Sequence, residues 1–121
     1  MMGYFSKTKN TFPWTELTSV DQLHALMEQS VEIPVLIFKH STSCSISAMA
    51  INRFENKWTA SPEACVVVYL DLLRFRSISN EIATITGVQH QSPQALLLKN
   101  KQVVYSDSHN GIDAATIQSL L

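Results

Sequence analysis

The sequence predicts an α/β domain with a mixed central sheet, and three observations indicate it. Residues 35–40 and 65–70 are short apolar runs with the β-branched composition of buried strands, and a stretch with helical periodicity separates them. Residues 95–98 and 103–105 flank Asn100-Lys101, an arrangement typical of a hairpin. A helical crossover makes the first two strands parallel, whereas the hairpin adds antiparallel strands to the same sheet.

Length, composition and charge restrict the class of protein. The chain has 121 residues, enough for one domain with its own core, and its 45% apolar and 16% charged residues are typical of a globular protein. A net charge of -1 provides no basic surface for nucleic acid. The apolar runs are too short to cross a bilayer, and residues 1–10 lack a secretory pattern. We therefore expect a cytoplasmic monomer with neither nucleic-acid nor membrane partners.

The first half of the chain carries two helical patterns. Residues 1–18 form a lead-in to the domain. Three side chains can pin its end to the body: Phe12, Trp14 and Leu17. The first helix begins at Ser19, which fits a capping box with Gln22. The second helix repeats apolar side chains every four residues after the first strand. These side chains are Ile46, Ala50, Phe54 and Trp58.

Two further helices complete the fold. Ser77 or Ser79 caps the third helix, and Gly87 is its C-terminal stop. The side chains expected to face inward from it are Ile78, Ile82 and Ile85. Asp113 caps the last helix. The order α-β-α-β-α-β-β-α is the thioredoxin topology over residues 19–121, with a central sheet of about four strands flanked by helices. The lead-in is a candidate for a fifth, N-terminal strand.

Cys44 is the candidate nucleophile of this fold. It follows a predicted parallel strand and precedes a helix, which is where open α/β sheets bind ligands. A helix N-terminus lowers the pKa of a thiol because it offers partial positive charge and free backbone N–H groups. The alternative is an inert, buried cysteine at a helix start.

Small and hydroxylated side chains flank Cys44 and leave room for a bulky disulfide. The candidates for contacts with a thiol or substrate are Thr42, Ser43, Ser45, Ile46 and Ser47. Lys39 and His40 are candidates for electrostatic support, although strand alternation allows only one of them on a given face. His109 is a third such candidate, approaching from the hairpin end, with an ordinary loop position as the alternative.

Ser92-Pro93 precedes the third predicted strand. Proteins with thioredoxin topology place a cis proline here, facing the cysteine. The cis bond costs little before proline, and it turns the backbone of the preceding residue toward an extended substrate. We therefore expect Ser92 and Pro93 to contact substrate, with an ordinary trans proline as the alternative.

The second cysteine, Cys65, is expected to be a buried core thiol. It begins its strand whereas Cys44 follows the end of a parallel neighbour, which separates them by about 15–20 Å, too far for a disulfide. Ser47 stands three residues after Cys44, so the two-cysteine motif of dithiol enzymes is reduced to one cysteine. A single nucleophile must pass its mixed disulfide to a second thiol in solution. No metal site is expected, because the strand-to-loop break makes the His40–Cys44 spacing uninformative.

Several blocks of the sequence resemble the YtxJ-type monothiol bacilliredoxins. These blocks are residues 38–48 (FKHSTSCSISA), 79–83 (SNEIA) and 87–95 (GVQHQSPQA), together with Leu70-Asp71 and Ser108-His109. The resemblance extends over residues 19–121.

The resemblance implies a thioredoxin fold without a bound cofactor, and an enzyme that removes bacillithiol from the mixed disulfides of S-thiolated client proteins. Cys44 would take up the bacillithiol and pass it to free bacillithiol, the low-molecular-weight co-substrate. The family usually has proline directly after the cysteine, whereas this sequence has Ser45, whose backbone N–H is available to the thiolate. This departure leaves the identity of the small thiol open.

Two other functions fit parts of the pattern. One cysteine per chain is formally compatible with an iron–sulfur carrier that shares a cluster between two chains, as monothiol glutaredoxins do. A thioredoxin-like module that binds a partner, with Cys44 incidental, is the other alternative. The thiol–disulfide oxidoreductase agrees best with the position of Cys44.

Overall fold

The computed structural model describes residues 12–121, where five strands form one mixed sheet and four helices flank it. The strands are β1 (Thr15–Glu16), β2 (Val35–His40), β3 (Val66–Asp71), β4 (Gln94–Lys99) and β5 (Gln102–Ser108). The helices are α1 (Val20–Gln29), α2 (Ser45–Lys57), α3 (Arg76–Thr86) and α4 (Ala114–Ser119). No helix in this part of the chain is both long and apolar enough to cross a membrane.

The strand order is β1-β3-β2-β4-β5, which confirms the predicted thioredoxin topology. Strands β1 and β2 run parallel to β3, whereas β4 runs antiparallel to both β2 and β5. The lead-in supplies the fifth strand, since Thr15 pairs with Val68 of β3. The predicted boundary at residue 18 stays a prediction, and residues 1–11 of the lead-in lie outside the described part of the chain.

Two apolar cores lie on opposite faces of the sheet, and β2 contributes to both because all six of its residues are buried. Leu36 and Phe38 point toward α2 and α4, whereas Val35 and Ile37 point toward α1 and α3. A strand covered on both faces reads as a continuous apolar run, which is why β2 was recognisable in the sequence. This alternation decides on which side of the sheet Lys39 and His40 lie.

The end of the lead-in packs onto the α2 face of the sheet, as expected. The Trp14 ring lies 5.8 Å from the Phe54 ring and 5.9 Å from the Phe38 ring, measured between centroids. Phe12 adds an edge contact with Phe54 at 6.1 Å, and Leu17 is buried in the opposite core. These contacts anchor the chain before β1.

The capping box at α1 is formed only in part. Ser19 Oγ accepts a hydrogen bond from the Gln22 N–H at 3.0 Å, as predicted. The reciprocal bond differs, because Gln22 Oε1 accepts from the N–H of Thr18 at 2.8 Å. The Gln22 side chain therefore binds the backbone N–H of Thr18, one residue before the N-cap, and not the N–H of Ser19 as the motif implies.

Two predictions for α3 are wrong. Phe75, not Ser77 or Ser79, is the N-cap residue, and no side chain caps this helix start. Ile85 is 37% exposed, because the buried stripe of α3 consists of Ile78, Ser79 and Ile82. The predicted stop at Gly87 is confirmed by its left-handed backbone, with φ of 73°.

The hairpin and the last helix agree with the sequence. Asn100 and Lys101 adopt φ angles of 54° and 66° in the turn between β4 and β5. Asp113 caps α4 by accepting from the Ala115 N–H at 3.2 Å. The strand predicted to begin at Cys65 begins one residue later, at Val66.

Candidate functional site

Cys44 is the N-cap residue of α2, at the edge of the sheet where β2 ends. Its N–H donates to the Ser41 carbonyl at 3.2 Å, and its carbonyl accepts from the Ala48 N–H at 3.0 Å. The Cys44 side chain is partly exposed and makes no capping hydrogen bond. The first-turn N–H groups of α2, which a serine or aspartate cap would occupy, are therefore not bonded by the Cys44 side chain.

The segment around Cys44 forms an exposed rim. Four predicted contact residues are exposed: Thr42, Ser43, Ser45 and Ile46. Ile46 fits the helical periodicity but is 56% exposed, and Met49 one turn later is 66% exposed. The rim therefore combines hydroxyl groups with apolar side chains, which suits a disulfide carried on a larger molecule.

Ser47, by contrast, is completely buried. Its Oγ accepts a hydrogen bond from the Ser41 N–H at 3.1 Å and lies 2.7 Å from Nδ1 of His40. Because the hydroxyl oxygen already accepts from the backbone, its proton can go to His40 Nδ1. The position that would hold a second cysteine in a dithiol enzyme thus anchors the loop preceding α2.

Replacing Ser47 with alanine is expected to lower the free energy of unfolding by about 1–3 kcal/mol, since the partly buried Ser41 N–H and the buried ring of His40 lose a partner. Denaturant titration measures the change. Ser45→Ala is the matched control, because Ser45 is exposed in the same helix turn and its loss should change stability by less than about 0.5 kcal/mol. Equal effects from both variants would contradict the anchoring role of Ser47.

His40 and Lys39 lie on opposite faces of β2. His40 faces α2, where its ring also lies 5.6 Å from the Tyr69 ring, measured between centroids. Lys39 faces α3 and is 0% exposed. Its Nζ lies 3.4 Å from both the Ser79 carbonyl oxygen and His90 Nδ1, and burial lowers the pKa of its ammonium group to about 8. Of the two, His40 is therefore the one on the Cys44 side, and an electrostatic role for either stays a prediction.

The Ser92-Pro93 peptide bond is cis, which confirms that expectation. Pro93 is buried and Ser92 partly so, and Gln94, the next residue, pairs with Lys39 near the end of β2. The Pro93 carbonyl accepts a hydrogen bond from the His109 N–H at 3.0 Å. His109 holds a left-handed backbone, with φ of 54°, at the start of a short 3-10 turn, His109–Gly111. The turn is thereby attached to the proline, and contact of these residues with substrate stays a prediction.

Cys65 is a buried core thiol, as predicted. It is 1% exposed, and burial raises the pKa of its thiol to about 12. It precedes the first residue of β3, whereas Cys44 follows the last residue of the parallel strand β2. Both cysteines are free thiols. Within residues 12–121, no cluster of three or more His, Cys, Asp or Glu side chains is arranged to hold a metal ion.

A family model described as "Monothiol bacilliredoxin BrxC" matches residues 15–117. The chain belongs to the monothiol bacilliredoxin family. A solved structure described as a putative oxidoreductase with a thioredoxin fold is 29% identical, with a TM-score of 0.75 over 88% of this chain and 92% of that one. The bacilliredoxin is also similar to mitochondrial thioredoxin 3 from Saccharomyces cerevisiae, at 18% identity and a TM-score of 0.65 over 88% and 91% of the chains.

Trypanosoma brucei brucei thioredoxin is 14% identical, with a TM-score of 0.66 over 94% of both chains. Likeness at this level shows the fold alone. The family match and the putative oxidoreductase together identify this bacilliredoxin as a thiol oxidoreductase of thioredoxin fold.

Two residues near the site were not assigned a role from sequence. The sequence indicated no role for His90, whose Nδ1 contacts Lys39 and lies 3.0 Å from Ser79 Oγ. Arg53 on α2 was not considered, and its Nη2 donates to the His109 carbonyl at 3.3 Å. The only feature of the sequence that could have indicated Arg53 as a site residue is its position one helical turn after Met49 in α2.

Proposed function

We propose that this bacilliredoxin removes bacillithiol from S-thiolated client proteins in the cytoplasm, with Cys44 as the nucleophile. The observation that carries the proposal is the position of Cys44: a partly exposed cysteine at the start of α2, with Ser47 in place of a second cysteine. The hydrogen bond from the His109 N–H to the Pro93 carbonyl, which attaches the 3-10 turn to the start of β4, supports it. Cys65 is excluded as the nucleophile by its burial and raised pKa.

The reaction proceeds in two exchanges. The Cys44 thiolate attacks the bacillithiol sulfur of the mixed disulfide, the old S–S bond breaks, and the client cysteine leaves as a thiolate that takes a proton from water. A thiolate of free bacillithiol then attacks the bacillithiol sulfur of the adduct, and the S–S bond to Cys44 breaks. This second step restores Cys44 and releases bacillithiol disulfide. No bound cofactor takes part, since the small thiol is the co-substrate.

The helix start supplies what these exchanges require. Both need a thiolate at Cys44, as attacking group in the first and as leaving group in the second. Cys44 lies at the N-terminus of α2, and a helix N-terminus carries partial positive charge. Ser45 also retains the N–H that proline would lack at this position. No separate general base is needed once the thiolate is present.

The proposal is tested by mixing the reduced protein separately with bacillithiol disulfide and with glutathione disulfide, and following intact mass and peptide maps over time. We expect one adduct per chain, located on Cys44 and formed faster with bacillithiol. Equal rates with the two disulfides would refute the assignment of bacillithiol as substrate. No adduct on Cys44 with either, together with slow alkylation, would favour a binding module instead.

A further inference from the structure

A cavity of about 320 Å³ lies between α2 and the start of α4, beside the 3-10 turn. Arg53 and Lys57 line it from α2, and Asn110 and Asp113 line it from the opposite side. The two cationic residues are four positions apart and therefore lie on one face of the helix. The cavity is outside the segment around Cys44 and has no role in the two exchange steps.

The cavity has more donors than acceptors to offer a ligand. Asp113 is the only carboxylate among its lining residues, and each of its oxygens accepts a hydrogen bond within α4: Oδ1 from the Ala115 N–H at 3.2 Å and Oδ2 from Thr116 Oγ1 at 2.7 Å. Arg53 contributes one N–H to the His109 carbonyl, out of the five that a guanidinium carries. The remaining donors favour a carboxylate as ligand.

The cavity is connected to the redox site through a single residue. The N–H of His109 donates to the Pro93 carbonyl at 3.0 Å, and its carbonyl accepts from Arg53 Nη2 at 3.3 Å. Arg53 and Pro93 are therefore linked by two hydrogen bonds that share His109. Along α2 Arg53 follows Cys44 by nine positions, about 13 Å of helix. Helical side chains lean toward the N-terminus, so the long Arg53 side chain extends back along α2 to the His109 carbonyl.

We propose that Arg53, assisted by Lys57, binds a carboxylate of the low-molecular-weight thiol while that thiol's sulfur is joined to Cys44. This inference rests on the proposed function and adds a specificity-determining residue to it. The ligand class is a small thiol whose carboxylate can reach Arg53 while its sulfur is joined to Cys44, a span of at most about 13 Å along α2. A planar guanidinium can bind both carboxylate oxygens at once, which fixes the orientation of the adduct.

The test compares bacillithiol disulfide with the same disulfide after conversion of its carboxylates to methyl esters. The measured quantity is the ratio of the two rate constants for adduct formation on Cys44. We expect Arg53→Gln to lower this ratio about tenfold, and Lys57→Gln to lower it about two- to threefold because Lys57 is exposed. Lys101→Gln is the matched control, since Lys101 lies in the hairpin turn, and its ratio should equal that of the unmodified protein.

Each outcome decides the proposal. High salt should reduce the difference between the unmodified protein and Arg53→Gln, because screening weakens an exposed charge contact. An unchanged ratio in Arg53→Gln, with adduct still forming on Cys44, would overturn the carboxylate site and leave the proposed function standing. If neither disulfide reacts with Cys44 in the unmodified protein, the proposed function fails and the carboxylate site fails with it.

Discussion

Replacing Cys44 with serine is expected to reduce adduct formation with bacillithiol disulfide to the level of a control without protein. A hydroxyl group does not attack disulfides near neutral pH, and no other described residue offers an accessible thiol, since Cys65 is buried. Stopped-flow kinetics and intact mass measure the loss. The variant should keep its folded circular dichroism spectrum, because a serine suits the N-cap position of α2.

Cys65→Ala is the matched control for this experiment. This variant also removes a cysteine sulfur, but one that is buried in the core. The rate of exchange should therefore stay within about twofold of that of the unmodified protein. Alkylation in the folded state should modify Cys44 and spare Cys65, because burial raises the pKa of the Cys65 thiol to about 12. An adduct that persists in Cys44→Ser and disappears in Cys65→Ala would reverse the assignment of the nucleophile.

Replacing Lys39 with methionine is expected to stabilise the protein by about 1–3 kcal/mol at pH 7. Lys39 is fully buried, and its pKa falls from 10.5 to about 8, which corresponds to a cost of about 3 kcal/mol for keeping the ammonium group charged. Methionine has a similar length and no charge. Part of the gain is lost because the Ser79 carbonyl and His90 no longer face a donor.

The stabilisation by Lys39→Met should depend on pH in a defined direction. Between pH 8 and 10.5 the unfolded chain holds the Lys39 proton and the folded chain does not, so the stability contributed by this group rises with pH there. The advantage of Lys39→Met should therefore shrink across that range, by up to about 1.4 kcal/mol per pH unit. Buried Cys65 and the partly buried Tyr69 and Tyr105 have raised pKa values. Each lowers the stability of the protein at high pH, but equally in both proteins, so that these effects cancel in the difference.

Urea titrations of both proteins at pH 7, 8, 9 and 10 measure this difference. Lys101→Met is the control, because Lys101 is exposed and its replacement should change the free energy of unfolding by less than about 0.5 kcal/mol. A stability difference for Lys39→Met that is constant from pH 7 to 10 would show that Lys39 is not held at a depressed pKa.

The order of the elements and the place of Cys44 could be predicted because their signals are local. Three examples are the apolar run at β2, the turn at Asn100-Lys101 and the cap at Asp113. Each of these features is formed by residues that lie within a few positions of one another in the sequence. The start of α3 could not be predicted in this way. No side chain caps it, and the Phe75 N–H is instead satisfied by the Asp71 carbonyl at the end of β3. That contact depends on how the chain leaves the sheet.

The surroundings of the site depend on contacts between distant parts of the chain. Lys39 would ordinarily be assigned to a surface, and its burial is decided by α3 and by His90, 51 positions away. The Arg53 side chain is positioned by its hydrogen bond to the carbonyl of His109, 56 positions away. Strand alternation predicted that Lys39 and His40 would be separated, but which of them faces Cys44 depended on the packing of α2.

The separation of the two cysteines has a consequence for how the protein would work in a cell. Ser47 anchors a loop and Cys65 lies at the other edge of the sheet, so nothing in the described chain can expel a thiol once it is joined to Cys44. Under the proposed function, turnover is first order in free small thiol. When that thiol is scarce, the protein accumulates in its thiolated form and accepts no further bacillithiol from client proteins. Its occupancy then follows the reserve of reduced thiol in its compartment, without a separate sensor.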